Sequence, residues 1–465
     1  MKNSQDGTFV NSIFKRKDIK QSGLLYKIGN TSDKTISIIA SLAMGIMIIV
    51  PAIVAIYSFF VRNFDKFFIL DWAIIIVGVF PAVSIIAFIL YIIVFLKVRN
   101  ENKGILYHLK KNPVFIIFSI ALILMIISQF YNGMESTVDG VTDMLLGESF
   151  DMQYSYFLFV LFAATQVRLE SHKRLLIRVW AIVSMIVVVA AFVLRFTPTG
   201  RIYYQCWSET FSSVFTNTNY YGYYLAVSVP LMAASFICEN KITWKILTGF
   251  SFVANTVVLS LNTSMGSWIG AAFAIVFIVI SRIIIEKKIN KQVIAVVIAF
   301  ILCMYIPAQI SGALNDNFSQ LGGDISNIME GGEAAEFAGS GRWRVWTASM
   351  DIIMENKLFG IGFDGVNVRG YIGAPYNTRP HNEFMQYAMF YGIPMAAFYF
   401  AGCLGVFLRA LKKKKSLNGA TLACLSGAFG YLVGSFFGLT VFSTAMYLFV
   451  FLGMGYVRNE ETVCQ

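Results

Sequence analysis

The chain holds three histidines, and one of them, His381, stands in Pro380-His381-Asn382-Glu383, where a polar stretch gives way to an apolar run. A neutral imidazole near pH 7 accepts a proton from a hydroxyl, so a histidine at such a boundary suits a general base acting on a lipid-borne substrate. Glu383 is the reserve base. Asn382 has two readings, a polar contact to substrate or the cap of a helix whose N-terminus Glu383 favours. Upstream, Gly341-Arg342-Trp343-Arg344-Val345-Trp346 opens a segment with apolar residues at Trp346, Met350, Ile353 and Met354, the spacing of an amphipathic helix at a membrane interface. Arginines at a helix start, beside unpaired backbone N–H groups, make a natural phosphate site. Arg342 and Arg344 are about 200° apart on an ideal helix, and Arg342 is the first choice for the anion. The competing reading has both arginines snorkelling to lipid headgroups beside the tryptophans.

The elements that must carry these residues follow from composition. Of 465 residues, 57% are hydrophobic and 14% charged, against about a quarter charged in soluble domains, which excludes an ordinary soluble enzyme. Apolar runs near 36–61, 69–96, 113–131, 175–195, 220–238, 244–262, 266–285, 292–309, 384–408, 418–437 and 439–457, with a shorter one near 152–167, predict an all-α polytopic membrane protein of about twelve transmembrane helices. The expected organisation is a cytoplasmic tail over 1–34, helices 1–9 over 35–309, a large external loop over 310–383 between helices 9 and 10, and helices 10–12 with the C-terminus over 384–465. Residues 311–339, rich in Gly, Asn, Asp and Ser, read as loop.

Alternating the loops from a cytoplasmic N-terminus puts 28 of the 37 Lys and Arg inside, as short cytoplasmic loops require. The formal charge of +11 then reports topology, N-in and C-in, and no nucleic-acid partner is expected. None of the expected helices carries an ionisable residue near its centre, which counts against an ion-coupled transporter, though a flippase with polar cavities survives the argument. One external histidine and Cys206 cannot build the usual zinc site, so no metal is expected. The acids Glu330, Glu333 and Glu336 read as a solvated loop.

Gly360-Ile361-Gly362-Phe363-Asp364-Gly365 fits G-x-G-x-x-G, but without a preceding strand it is no dinucleotide fingerprint. Gly430, Gly434 and Gly438 predict close packing of one helix face. Tyr220, Tyr221, Tyr223 and Tyr224 are expected as headgroup anchors at the start of a span.

Taken together, these segments resemble the O-antigen ligase and O-antigen polymerase superfamily of bacterial membrane glycosyltransferases, over roughly residues 195–455. The resemblance rests on Phe215-Thr216-Asn217-Thr218-Asn219-Tyr220, similar to the family's Phe-x-Asn-Pro-Asn, and on Asn262-Thr263-Ser264-Met265-Gly266-Ser267-Trp268. Further carriers are Gly341-Arg342-Trp343-Arg344-Val345-Trp346, Leu358-Phe359-Gly360-Ile361-Gly362, and His381-Asn382-Glu383-Phe384 followed by Tyr391-Gly392. It implies a class C glycosyltransferase fold and catalysis on the outer face of the cytoplasmic membrane. It also implies polyprenyl-diphosphate-linked glycans as donor and acceptor, no cofactor, His381 as the essential histidine and Arg342 as the arginine on the diphosphate. Met265 stands where family members often carry an arginine. Arg201, Arg344, Arg369 and Arg379 are candidates to replace it, and Asn219 is retained. A polymerase of capsular, O-antigen or exopolysaccharide repeats is the favoured expectation. A ligase transferring glycan to a lipid core or protein is the alternative, and a flippase or transporter the third. A flippase and a chain-length regulator are expected partners.

Overall fold

The computed structural model describes residues 23–60, 68–100, 112–133, 150–196, 211–215, 217–288, 290–336, 338–339, 341–362, 380–417, 419–438 and 442–458. These form α1 (Leu24–Gly29), α2 (Asp33–Phe60), α3 (Phe68–Asn100), α4 (Pro113–Tyr131), α5 (Phe150–Thr165) and α6 (Glu170–Phe196). There follow α7 (Thr218–Cys238), α8 (Ile242–Asn262), α9 (Met265–Glu286), α10 (Lys291–Ser311), α11 (Ala313–Glu330), α12 (Gly332–Glu336) and α13 (Arg342–Glu355). The chain closes with α14 (Glu383–Tyr391), α15 (Ile393–Lys412), α16 (Gly419–Gly434) and α17 (Phe442–Met454), joined by short 3₁₀ turns. The protein is all-α and polytopic.

All twelve expected segments are helical, and ten of the described helices are long and apolar enough to cross a membrane. The other two, α5 and α17, have 16 and 13 residues, below the roughly 20 that a perpendicular span needs. The run 384–408 is not one helix, because Gly392, at φ 90°, breaks it into α14 and α15. Residues 311–339 are not loop either: α11 fills most of that stretch. Its apolar residues recur at helical spacing, a period that its glycines and asparagines obscure.

Helix α7 lies at the centre, packed by α6, α8, α9, α16 and α17. Its tyrosines are therefore core residues rather than headgroup anchors: Tyr221, Tyr223 and Tyr224 are buried, with Tyr224 stacked on Trp180 at 4.9 Å between centroids. The glycine faces do pack closely. A Cβ on Gly270 would lie 2.4 Å from the Gly430 carbonyl oxygen, and one on Gly266 would lie 2.7 Å from Phe437 Cβ. Only bare backbone lets α9 and α16 approach so near.

The basic loop segments gather at one end of the bundle and are tied there. Asp33 pairs with Lys97 and Arg168, Glu239 with Arg178 at 2.8 Å, Glu170 with Arg174 at 3.0 Å, and Arg282 with Glu286. The motif residues lie at the opposite end.

Candidate functional site

At that opposite end, α14 begins because the Asn382 side-chain oxygen accepts from the N–H groups of Phe384 and Met385, each at 3.1 Å. This is the capping reading of Asn382. Its amide NH₂ has no hydrogen-bond partner among the described residues. Just before the cap, half-buried His381 has φ 49°, a left-handed conformation uncommon for any residue with a side chain. Such strain persists only where surrounding contacts over-determine it. Two such contacts flank it. On one side the Trp346 indole N–H donates to the Pro380 carbonyl at 2.5 Å; on the other the Tyr399 hydroxyl donates to Glu383 Oε1 at 2.8 Å. Glu383 is fully buried, so it faces the α14–α15 packing and not the surface on which a substrate hydroxyl would arrive.

The Trp346 bond also separates the two arginines. On an ideal helix Arg342 lies about 40° from Trp346 and one turn N-terminal to it, whereas Arg344 lies about 160° away. Arg342 is thus on the face of α13 that reaches toward His381, and Arg344 is on the other. Arg342 is half-buried and Arg344 exposed, and neither side chain makes an ion pair or hydrogen bond among the described residues. Helix α13 starts at Arg342 itself, after Gly341 at φ 82°, but its first two N–H groups are not open as expected: Arg342 N donates to the Gly339 carbonyl at 3.3 Å and Trp343 N to the Ala338 carbonyl at 3.2 Å, which leaves the arginine side chain to meet an anion.

Asn219 joins a second cluster. Asn217 caps α7 by accepting from the Asn219 N–H at 2.7 Å, and Asn219 Oδ1 accepts from Ser264 Oγ at 3.1 Å. Asn262 donates to the carbonyls of Phe211 and Thr218 at 2.6 and 3.0 Å. The two motif segments 215–220 and 262–268 therefore fasten one another. They connect to the histidine through the 3₁₀ turn Ser435–Phe437. Tyr223 Oη donates to the Phe437 carbonyl at 3.2 Å, Gly266 abuts Phe437, and the Phe436 ring lies 4.4 Å from that of Phe384. Met265, half-buried, is the first residue of α9. Arg201, Arg369 and Arg379 lie outside the described residues.

Sequence reasoning missed the partner of the Leu358–Gly362 strap. The break at Gly392 leaves carbonyls at the end of α14 without helical donors. Ile361 N and Gly362 N donate to Met389 O and Phe390 O at 3.0 and 2.9 Å. From α4, Ser128 Oγ donates to Phe359 O and Phe390 O, and Asn132 Nδ2 to Phe359 O at 3.3 Å. The glycines here serve close approach: a Cβ on Gly360, at φ 63°, would lie 2.5 Å from the Met389 carbonyl oxygen. This is a brace for the broken helix, as the rejection of the dinucleotide reading requires. Two polar residues at the end of an otherwise apolar helix were the available signal.

Residues 250–400, from within α8 to the start of α15, match the family model described as O-antigen ligase. The matched stretch contains Arg342, Trp346, the strap, His381 and Glu383. No curated protein matches the chain.

Proposed function

With an O-antigen ligase domain across residues 250–400 as premise, we propose that the chain is an inverting membrane glycosyltransferase working at the outer face of a bacterial cytoplasmic membrane. It polymerises polyprenyl-diphosphate-linked repeat units of a capsular, O-antigen or exopolysaccharide. The observation that carries the reading is the 2.5 Å bond from Trp346 to Pro380. It couples the helix that starts at Arg342 to the residue preceding His381, so that a cation and a base flank one place.

Diphosphate is already a good leaving group, so catalysis needs mainly charge neutralisation and positioning of the acceptor hydroxyl. Arg342 supplies a permanent cation whose fork matches phosphate oxygens. His381 Nδ1 or Nε2 takes the acceptor's hydroxyl proton as that oxygen attacks the sugar anomeric carbon. The bond to the diphosphate oxygen breaks in the same displacement, which inverts the configuration. Asn382 and Glu383 hold the histidine in place, Glu383 from within the α14–α15 packing and so not as the reserve base. No metal is assigned a part, because the arginine provides the charge. Flippase and chain-length regulator proteins are the partners such a polymerase implies.

Transfer measured with purified, reconstituted protein and a lipid-linked donor tests the assignment. Normal rates in both Arg342→Ala and His381→Ala would sink it. A flippase would tolerate either change. Cysteine labelling at positions 333 and 413 checks the orientation, and labelling of intact cells at 413 but not at 333 would reverse it. The glycan left in a deletion strain separates the two reactions: single repeats on the lipid indicate a polymerase, and long lipid-linked chains indicate a ligase.

A further inference from the structure

Among the described helices, α11 presents the most sharply divided surface. At 100° per residue, Leu314, Phe318, Leu321, Ile325, Ile328 and Met329 fall within an arc of about 100°, and every other position on the helix after Ala313 is polar or glycine. A soluble helix turns such a stripe inward. This one does the reverse. Phe318 is 61% exposed, Ile325 51% and Met329 82%, while after Ala313 the buried position is Asn317, with Leu314, Asp324 and Asn327 half-buried. One polar flank, Asn317, Asp324 and Asn327, rests on the protein, and beyond Leu314 the apolar arc is exposed.

What covers the stripe follows from where it begins. Helix α10 is a membrane span whose outward residues, among them Ile298, Ile301 and Tyr305, are about half exposed and face lipid. Only Gly312, at φ 82°, separates the end of α10 from α11, so the apolar surface continues from the span onto α11. We infer that α11 lies in the plane of the membrane surface on the motif-bearing side, with these six side chains sunk among the acyl chains. Its charged residues, Asp316, Asp324 and Glu330, are all acidic, so apolar burial holds the helix there and attraction to anionic lipid contributes nothing. An 18-residue helix runs about 27 Å along the surface and leads through α12 to Gly341 and Arg342. The consequence for the site, which rests on the proposed transfer reaction, is that Arg342 is delivered at headgroup depth, where a lipid-linked diphosphate sits.

The test uses the whole chain, freed of native cysteines, in phosphatidylethanolamine–phosphatidylglycerol vesicles, with a nitroxide on Cys introduced at each position from 314 to 329. Collisions with oxygen and with a water-soluble nickel chelate are compared. The expected result is a helical period with the two quenchers in opposite phase. Oxygen dominates at Ile325→Cys, nickel at Gly323→Cys, and the pattern is unchanged in high salt. Should the cysteine-free chain fail to insert, benzoylphenylalanine at 325 or 323 of the otherwise native protein gives the same contrast, with lipid adducts at 325 alone. Equal nickel access at both positions overturns the inference. So does shielding of 325 from both quenchers, or protein adducts there, since a second copy or another segment would then cover the stripe. The measurement needs no substrate, so its failure is separate from failure of the transfer reading.

Discussion

The two ends of the bundle use arginine in opposite ways. At the end that collects the basic loops, carboxylates take up the charge: Glu239, 7% exposed, receives Arg178 and two backbone N–H groups, and Asp33 receives Lys97 and Arg168. At the other end Arg342 meets no carboxylate among the described residues, and its helix is joined by the Trp346 indole to the Pro380 carbonyl, beside a strained histidine backbone. A buried cation whose partner is removed leaves an uncompensated charge, so the first arrangement is structural. A half-buried cation with no carboxylate partner gains most when an anion arrives. The second is the arrangement that the proposed donor site requires.

Breaking each end should therefore have a different signature. The largest effect is expected at His381: replacement by Gln should lower turnover by about 10²–10⁴, the usual worth of general-base assistance, with donor binding and thermal stability nearly unchanged. If stability and binding fall together with turnover, the histidine is a structural anchor and the contrast between the ends disappears. Next, Arg342→Lys keeps the charge but loses the fork. A cost of about 10- to 150-fold in transfer is expected for a charge-assisted hydrogen bond, against little change for Arg344→Lys, measured as kcat/KM for the lipid-linked donor. Equal losses at both positions would mean that the Trp346 face does not select Arg342.

At the paired end, Glu239→Gln should reduce stability by about 1–3 kcal/mol, the cost of an imperfectly replaced charged hydrogen bond, while the folded fraction keeps its specific activity. Burial alone would raise the Glu239 carboxyl, but the Lys241 N–H and the Arg178 hydrogen bond and charge hold it below the usual carboxylate range. A carboxyl lowered by folding stabilises fully above its unfolded pKa, and that contribution is lost as pH falls through the folded value. Thermal denaturation of the wild type in detergent should show this acid-side loss, and the variant should lack it. The smallest effect is expected for Trp346→Phe, which keeps the ring but removes the N–H to Pro380. A loss of about 0.5–1.5 kcal/mol should appear in kcat more than in KM, because the histidine shifts and the donor site does not.

Much of this architecture is a local property of the chain, readable over a few residues. The spans follow from runs of apolar residues, the gathering of cations at one end from loop composition, and the start of α14 from an asparagine two residues before the N–H it caps. The start of α13 at Arg342 was legible from the apolar spacing that follows it and not from a cap, since Gly341 offers no side chain. The period in α11 was equally local, and was misread because Gly322-Gly323 and the surrounding asparagines look like loop. The burial of Tyr221 and Tyr224 was not local: an aromatic near a helix start reads as an interface anchor unless one knows that five other helices pack around its own.

By itself, then, the sequence determined that helices cross a membrane, which loops share an end, and which few motif residues, His381, Arg342 and Asn219 among them, belong to the end proposed for the chemistry. Those outcomes depend on side-chain type and on neighbours within about a turn, where helix periodicity and capping act. Tertiary structure alone turned the α13 face of Arg342, rather than that of Arg344, toward Pro380, through one indole N–H meeting a carbonyl 34 residues further along the chain. It also turned Glu383 into the core against Tyr399 and set Ser128 and Asn132 of α4 on the strap beside Gly392. It placed Phe436 and Phe437 between the asparagine cluster and the histidine. The reason is that a helix break in a membrane must find donors for its freed carbonyls from whichever element packs beside it. Which element that is follows from packing and not from any pattern along the chain.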